Sequence, residues 1–292
     1  MTDRKVWLEV ALNGPWSRAR QPGIPVAVRE IVAEGITCAR AGAAIVHVHA
    51  YDEATGRQKD DPDLYAAIIE GIRAKVDAIV YPTLPFAGSA DASGAMSARS
   101  RFAAVEALAK RGLLEWAVVD PGTVNISDYG ELAAGREGFV YANPESHVRQ
   151  GLALAAAHRF HPSYAVYEPG FTRLGAALAR AVPGVPQPLY RFMFSTGFAF
   201  GFPPEPFALD AHLALLAREA PGAAWMIAGL AVDVLPLAPA AIARGGHLRV
   251  GLEDAPFRSR RSNVEWVESA VGAIRAAGGE PASAADVRAA LA

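Results

Sequence analysis

The sequence predicts a single (β/α)8 barrel over residues 1–292, with an extra helix at its C-terminal end. Strand-like and helix-like segments alternate along the whole chain, eight of each can be paired, and no change of composition separates them. With 292 residues, 52% of them hydrophobic, the chain can bury one large core. An open doubly wound sheet is the alternative, but it needs a glycine-rich phosphate turn after an early strand, and none is present.

Each predicted strand is a short apolar run, and a helical pattern follows it. We expect strands at Val6–Asn13, Ala43–Ala50, Asp77–Pro82, Trp116–Val119, Tyr164–Tyr167, Leu189–Phe194, Ala224–Ala228 and Leu248–Leu252. We expect helices at Val28–Arg40, Asp61–Lys75, Ser97–Arg111, Pro144–Phe160, Arg173–Ala181, Phe207–Ala220, Pro239–Arg244 and Asn263–Ala277, then a short closing helix at Ser283–Ala290. The stretch between the fourth strand and the fourth helix is rich in turn residues, so we expect a loop there.

Composition excludes several functional classes. A net charge of −2 gives no reason to expect a nucleic acid or an anionic membrane as partner. No apolar run approaches the roughly 20 residues of a membrane helix, and no signal peptide is visible. The single cysteine, Cys38, excludes an intramolecular disulfide and a cysteine-rich metal site. We therefore expect a cytoplasmic enzyme or binding protein.

The second strand ends with two histidines on one face. Side chains alternate along a strand, so His47 and His49 point one way while Val46 and Val48 point the other. In a barrel the apolar pair faces the helices, which leaves the imidazoles at the strand end where barrel enzymes place their chemistry. A single inward histidine is usually a core residue, whereas this pair favours metal binding.

The eighth strand offers a carboxylate to the same metal. Alternation places Arg249 and Glu253 on the inward face, with Glu253 ending the strand and Asp254 in the turn that follows. The second and eighth strands both flank the first, so they lie about 10 Å apart. Two histidines and one carboxylate, with a fourth position open, are the ligands of a catalytic zinc. Glu9 is the alternative ligand, but we predict that it is a buried partner of Arg249 or of another core cation.

Polar residues also follow other predicted strands, and together they indicate a substrate pocket. These residues are Thr83, Thr123, Asn125 and Glu168. Beyond the eighth strand, three arginines precede the last long helix, at positions Arg258, Arg260 and Arg261.

These residues belong to motifs that resemble the β-keto acid cleavage enzymes, the family of 3-keto-5-aminohexanoate cleavage enzyme. The resemblance runs from about Val6 to Leu291. It is strongest at Ala11–Gly14, Ala41–His49, Pro121–Asn125, Tyr167–Gly170 and Gly245–Asp254. The His-Val-His and Gly-Leu-Glu-Asp segments are specific together, although either alone would be weak.

The resemblance implies a zinc-dependent TIM barrel that converts a β-keto acid and acetyl-CoA into acetoacetate and a new acyl-CoA. It implies one Zn2+ per chain, or another divalent metal, on His47, His49 and Glu253, and it implies a homotetramer. Asp254 would act as general base, and Arg249 would stabilise the enolate that a retro-Claisen cleavage releases. Thr83, Thr123 and Glu168 match further active-site positions.

The resemblance also suggests how the two substrates are bound. The arginines at 258, 260 and 261 could hold the phosphates of CoA beside a helix N-terminus, although a solvated basic turn explains them equally well. The β-keto acid is expected to contact Asn13, Trp16, Tyr51 and Asn125.

The chain departs from the family pattern at three places. Thr83–Phe86 replaces a Ser/Thr-Thr-Gly-Gly turn, and its proline removes a backbone donor, so this corner must be reshaped. The insertion at Ser89–Met96 is longer than expected. Tyr51 stands where an arginine is common, and Pro15-Trp16 where the amino-acid-cleaving member has an acidic residue. We therefore predict a substrate with an uncharged, apolar side chain near Trp16, Tyr51, Leu84 and Phe86.

Two alternative functions remain open. A metal-dependent keto-acid lyase or aldolase would keep the metal, Arg249 and Asp254, but it would not need CoA or the three arginines. A catalytically silent barrel that binds a metal or a small acid would fit the loss of the Gly-Gly turn. An amidohydrolase is not supported, because the fifth and sixth strands have no histidine at their C-terminal ends.

Overall fold

The computed structural model describes residues 4–85 and 96–292; Phe86 and residues 89–95 of the predicted insertion lie outside the described residues. Eight parallel strands form one sheet in the order β3-β2-β1-β8-β7-β6-β5-β4. They are Leu8–Ala11 (β1), Ile45–Val48 (β2), Ile79–Pro82 (β3), Trp116–Val118 (β4), His161–Val166 (β5), Leu189–Phe194 (β6), Trp225–Gly229 (β7) and His247–Val250 (β8). This is the strand order of a nearly closed (β/α)8 barrel, so the predicted fold class is confirmed.

Helices follow the strands at every place where the sequence predicts one. They are Val28–Ala41 (α1), Pro62–Arg73 (α2), Ala98–Arg101 (α3), Ala103–Lys110 (α4), Tyr129–Ala133 (α5), Glu145–His158 (α6), Pro169–Ala181 (α7), Pro206–Glu219 (α8), Ala238–Ala243 (α9), Asn263–Ala276 (α10) and Ala284–Leu291 (α11). The helix predicted at Arg173–Ala181 begins earlier because Pro169 occupies its first turn, where proline needs no hydrogen-bond partner. In the described ranges, no helix combines the length and the apolar composition needed to cross a bilayer.

Three local predictions are wrong. The loop expected after β4 contains a hairpin of Val124–Ile126 and Phe139–Tyr141, with α5 between its strands. The helix predicted at Ser97–Arg111 is divided into α3 and α4 at Phe102, which leaves helical geometry. The eighth strand ends at Val250 instead of Leu252, because Gly251 has a φ of 132° and turns the chain out of the sheet.

The chain forms two compact units. One comprises the residues up to Thr83 together with Met226–Ala292, and the other comprises Leu84–Trp225. In the first unit a row of buried valines runs across neighbouring strands, at Val250, Val10, Val46 and Val80. Val46 packs toward Gly35 of α1, so this face of the sheet is covered by helices. The opposite face presents Arg249, Glu9, His47 and Tyr81, as strand alternation predicts.

Candidate metal centre

His47, His49 and Glu253 come together in the first unit. One donor atom of each lies within 4.8 Å of the other two. Glu253 Oε2 is 3.5 Å from His47 Nε2 and 3.5 Å from His49 Nε2. Two ligands about 2.1 Å from a tetrahedral zinc are separated by roughly 3.4 Å, so this spacing matches the donor set of such an ion.

Glu253 reaches the histidines from a tight turn and not from the strand itself. Gly251 is required at the start of this turn, because a Cβ there would lie 2.2 Å from the carbonyl oxygen of Ala11. Gly14 has a φ of 63°, and a Cβ on it would lie 2.6 Å from Glu253 Cγ. The two glycines therefore let the backbone after β1 and the turn after β8 approach each other closely.

Polar side chains hold the same turn from outside. The indole N–H of Trp16 donates to the Glu253 carbonyl oxygen at 2.8 Å. Gln21 Nε2 donates to the Leu252 carbonyl, and Asn263 Oδ1 accepts from the Leu252 N–H at 2.8 Å. The position of the Glu253 carboxylate is thus set by its backbone, which other elements fix.

Asn13 holds His49 in the same way. Its Nδ2 donates to the carbonyl oxygens of His49 and Pro25, both at 3.0 Å, and its Oδ1 accepts from the His49 N–H at 2.9 Å. The side chain is fully buried and both of its amide hydrogens are used. Asn13 therefore positions the backbone of His49, and its contact with substrate stays a prediction.

Arg249 lies at the centre of three carboxylates. Its Nε and Nη2 donate to the two oxygens of Asp254 at 2.8 Å each, and Nη2 also pairs with Glu253 Oε1 at 2.8 Å. Its Nη1 pairs with Glu9 Oε1 at 3.1 Å, which confirms Glu9 as a buried partner of Arg249. Tyr81 donates to the same Glu9 oxygen at 2.6 Å, and its ring lies 4.7 Å from that of His47.

These contacts set the charge of the site. Burial works to raise the pKa of Glu253, but the Arg249 guanidinium and then the two imidazoles hold it well below its usual range. Burial works to lower the pKa of Arg249, but Asp254, Glu253 and Glu9 together hold it well above its usual range. Glu253 therefore offers a charged oxygen to the histidines, while its other oxygen is bound to Arg249.

The buried charges fit a divalent cation. Counted as ionised, Glu9, Glu253 and Asp254 with Arg249 sum to −2, and a buried excess of negative charge is costly unless it is paired. Among the described residues, His49 Nε2 and Glu253 Oε2 are buried and accept or donate no hydrogen bond. A divalent ion between these atoms would supply both the missing contacts and the missing charge.

Asp254 directly follows Glu253 along the chain and Thr83 follows β3, and their environments differ. Asp254 is 2% exposed, and both of its oxygens accept hydrogen bonds from Arg249. Thr83 follows β3 and is half-buried, and its N–H donates to the Val48 carbonyl at the end of β2. Asp254 is thus preorganised as a carboxylate, and Thr83 stands at the strand end where the sequence places it.

Two predicted substrate residues form an aromatic wall beside the turn. Tyr51 is 2% exposed, and its hydroxyl donates to the carbonyl oxygens of Gly14 and Trp16. Trp16 is half-buried and packs edge-to-face on Phe257 at 5.0 Å. The Arg20 guanidinium lies over both rings, 5.3 Å from Trp16 and 4.1 Å from Phe257. The Tyr51 ring and its hydroxyl therefore shape the loop that carries Trp16.

The three arginines predicted for CoA share one exposed loop before α10. Arg258, Arg260 and Arg261 are exposed, and Arg261 lies over the Trp266 ring at 4.8 Å. The N-terminus of α10 is already capped, because Ser262 Oγ accepts from the Glu265 N–H and the Glu265 carboxylate returns to Ser262. Phosphate binding here would therefore depend on the arginine side chains and not on free helix amides.

The second unit contains its own polar cavity. Thr123, Asn125 and Glu168, all predicted as site residues, line it together with Val124 and Ala199. Thr123 Oγ1 accepts from the Asn143 N–H at 2.9 Å. This bond uses the hydroxyl as an acceptor and does not use its hydrogen. Glu168 Oε1 accepts from the Gly201 N–H at 3.1 Å. Three of the predicted residues thus share one cavity.

The altered corner after β3 also has a structural explanation. Leu84 is buried, and the Pro85 carbonyl accepts from Nε of the buried Arg101 at 2.9 Å. Arg101 Nη1 donates to the Ala142 carbonyl at 2.9 Å. A buried guanidinium therefore holds the Pro85 carbonyl at this corner.

Sequence reasoning missed the residues that support the centre. Tyr81 has the same strand parity as the histidines, so the alternation pattern could have found it once β2 and β3 were paired. Gln58, which lies 2.8 Å from His49, belongs to a short hairpin that the strand patterns did not predict.

The chain resembles known proteins along most of its length. Residues 5–292 match the profile of the family described as beta-keto acid cleavage enzyme. The chain is 27% identical to the 3-oxoadipate:acetyl-CoA acetyltransferase of Cupriavidus necator, over 85% of this chain and 79% of that protein. It is 27% identical to the 3-keto-5-aminohexanoate cleavage enzyme of Fusobacterium nucleatum, over 93% and 92%.

Solved structures agree on the fold. The apo structure of ObcA superposes with a TM-score of 0.72 at 20% identity, covering 94% of this chain and 66% of the ObcA chain. A ternary complex of ObcA with a C4-CoA adduct and oxalate gives a TM-score of 0.71, also at 20% identity, covering 94% and 68%. The family match over almost the whole chain, on a barrel that brings His47, His49 and Glu253 together, shows that this protein belongs to the beta-keto acid cleavage enzyme family.

Proposed function

We propose that the protein uses one zinc ion to exchange the acyl groups of a β-keto acid and acetyl-CoA. Two bonds break, the one between the keto carbon and the carboxymethyl carbon of the β-keto acid and the C–S bond of acetyl-CoA. The carboxymethyl carbon then bonds to the acetyl group to give acetoacetate, and the CoA sulfur bonds to the former keto carbon to give a new acyl-CoA. Family membership supports the reaction class. The observation that supports zinc best is the convergence of His47 Nε2 and His49 Nε2 on one oxygen of Glu253.

The residues of the first unit have distinct proposed roles. His47, His49 and Glu253 hold the ion, which supplies Lewis-acid chemistry for the dicarbonyl group of the substrate when bound. Arg249 stabilises the negative charge that develops on the carboxymethyl carbon as its bond breaks. Asp254 acts as general base and takes up a proton from the substrate. Thr83 contacts the reacting group from the end of β3.

The acetyl-CoA contacts rest on the resemblance and on charge. We assign the CoA phosphates to Arg258, Arg260 and Arg261, because these exposed cations share one loop. The name of the Cupriavidus necator relative includes acetyl-CoA, and the ObcA ternary complex contains a C4-CoA adduct. Thr123, Asn125 and Glu168, in the cavity of the second unit, are assigned to substrate contacts. A homotetramer is expected from the resemblance alone, whereas a cytoplasmic location is expected from the sequence.

The substrate side chain is proposed to be uncharged and apolar. Trp16 occupies a position where an ammonium-binding relative has an acidic residue, and Tyr51 replaces an arginine. The Trp16 indole and the Tyr51 phenol are neutral groups that donate to backbone carbonyl oxygens. Neither therefore offers a charge to a charged substrate side chain. The Arg20 cation beside Trp16 is the group that would favour a carboxylate instead.

The first experiment measures bound metal and products together. Purified wild type, reconstituted with zinc, is compared with the His47→Ala/His49→Ala double variant by elemental analysis. Both are then supplied with β-keto acids whose side chains are apolar, anionic or cationic, with and without acetyl-CoA. We expect about one zinc per wild-type chain, none in the double variant, and acetoacetate plus acyl-CoA only with acetyl-CoA and the apolar substrates.

Each other outcome corrects a named part of the proposal. Wild type that holds no zinc after reconstitution contradicts the metal centre. Cleavage without acetyl-CoA shows a lyase or aldolase instead of an acyl exchange. Preference for 3-oxoadipate over an apolar substrate contradicts the apolar side chain and makes Arg20 the first residue to replace.

A further inference from the structure

A short hairpin returns a glutamine to the metal-binding histidine. After β2 the chain forms an antiparallel pair of Tyr51–Asp52 with Arg57–Gln58, in which Tyr51 is opposite Gln58. Asp52 Oδ1 accepts from the Thr55 N–H, and the Gly56 N–H donates to the Asp52 carbonyl, which closes the turn. Gln58 thereby lies beside His49, nine residues away in sequence, and its Oε1 is 2.8 Å from His49 Nδ1.

Gln58 is held in turn by a carboxylate. Its Nε2 is 2.9 Å from Asp60 Oδ1 and 3.1 Å from Oδ2. The hydroxyl of the fully buried Tyr65 donates to Asp60 Oδ1 at 2.9 Å. Burial, and then the Asp60 charge, raise the pKa of Tyr65 well above its usual range, so this hydroxyl keeps its proton and remains a donor.

The order of donors and acceptors along this chain of four side chains is therefore fixed. An ionised carboxylate only accepts hydrogen bonds, so Asp60 must face the NH2 group of Gln58. The carbonyl oxygen of Gln58 must then face His49, and it requires a donor at Nδ1. A neutral imidazole with its hydrogen on Nδ1 has its lone pair on Nε2. That nitrogen is the one 3.5 Å from Glu253 Oε2.

We propose that Gln58 is a positioning residue that fixes the tautomer of His49, so that Nε2 presents its lone pair for a divalent cation. Asp60 orients Gln58, and Tyr65 orients Asp60. This inference rests on the proposed zinc centre, but the contact between Gln58 Oε1 and His49 Nδ1 is present without any ion. Groups that accept from the second nitrogen of a metal-binding histidine typically change metal affinity by 10–100-fold when they are removed.

The test compares three variants. Gln58→Leu removes the acceptor at His49. Gln58→Glu/Asp60→Asn exchanges the amide and the carboxylate, so that the amide now at position 60 donates to the carboxylate now at position 58, which still accepts from His49. Gln187→Leu is the matched control, because it removes an exposed glutamine whose amide donates to the Gly222 carbonyl instead of to a histidine.

Two measurements are made on each folded protein. Zinc affinity is measured by competition with a chelator. The histidine tautomers are measured in metal-free protein by long-range 1H–15N NMR on 15N-histidine samples, with His49→Ala used to assign the His49 signals. We expect Gln58→Leu to weaken zinc binding by 10–100-fold and to lose the Nδ1–H preference of His49. The exchanged pair and Gln187→Leu should stay within about threefold of wild type.

The inference and the proposed function fail in different ways. Equal zinc affinity and an unchanged His49 tautomer in Gln58→Leu would overturn the role of Gln58, even with zinc bound. Wild type that binds no zinc would overturn the proposed metal centre, while the tautomer spectra would still decide whether Gln58 orients His49. Failure of the exchanged pair to restore the Nδ1–H tautomer would overturn the assignment of Asp60.

Discussion

At the scale of single residues, the centre depends on how one guanidinium is shared. Arg249 binds both oxygens of Asp254 and one oxygen each of Glu253 and Glu9, so each of its three nitrogens contacts a carboxylate. A lysine could not form this fork. The arrangement gives Asp254 two possible functions, as a proton carrier in its own right or as a support for Arg249.

Replacing Asp254 by asparagine separates these two functions. The amide keeps the shape and one acceptor for Arg249 but cannot take up a proton. If Asp254 is the general base, kcat with the preferred β-keto acid should fall by about 10²–10⁴-fold while zinc content stays near one per chain. Steady-state kinetics and elemental analysis on the same sample check this. A fall of less than tenfold, with metal retained, would assign Asp254 to holding Arg249.

At the scale of elements, strand alternation predicted more of the site than any other pattern. Parity alone placed His47, His49 and Arg249 on one face, because β2 and β8 are regular strands with apolar outer faces. Glu253 also reaches the inward side as predicted, but it does so from a turn beyond the strand, which Gly251 begins. The alternation of side chains along a strand does not predict the residue at which the strand ends. It also does not predict which side chains from other elements will bind the turn that follows.

The short elements show the same limit. The hairpin that brings Gln58 to His49 has strands of only two residues, too short for a periodic pattern. The turn chemistry of Asp52, Thr55 and Gly56 was present in the sequence, but its consequence depends on pairing in space. Asn13 was assigned to substrate because it stands in a family motif, and only its three backbone hydrogen bonds reveal that it holds His49.

The loop after β1 offers a test at this scale. Gly14→Ala introduces a Cβ at a φ of 63° and 2.6 Å from Glu253 Cγ, whereas Gly278→Ala introduces one at a φ of 76° into open space. Both variants should lose about 1 kcal/mol of unfolding free energy from the backbone conformation. Only Gly14→Ala must also displace Glu253, so its zinc affinity should fall at least tenfold. Denaturant unfolding and chelator competition measure the two effects.

The two variants together separate an effect on Glu253 from a general loss of stability. Equal zinc affinity in Gly14→Ala and Gly278→Ala would mean that Glu253 can shift without harm, or that it is not a ligand. Weakened zinc binding in both would point to a general loss of stability and not to contact with the carboxylate.

At the scale of the whole molecule, the proposed ion joins distant parts of the chain. His47 and His49 lie at the end of β2, while Glu253 follows β8, and all three belong to the unit formed by the two ends of the sequence. A ligand that binds the folded state alone stabilises it by RT ln(1 + [L]/Kd), about 2.7 kcal/mol at a hundredfold excess over Kd. The unfolding entropy scales with length, so a chain of this size should gain about 4 °C in Tm.

Thermal unfolding with and without zinc therefore tests the site independently of any substrate. Wild type should gain about 4 °C with zinc at a hundredfold excess over its Kd, and a chelator should reverse the gain. The His47→Ala/His49→Ala variant should show no gain, because Glu253 alone cannot hold the ion. A zinc-induced rise of the same size in the double variant would place the ion elsewhere on the molecule.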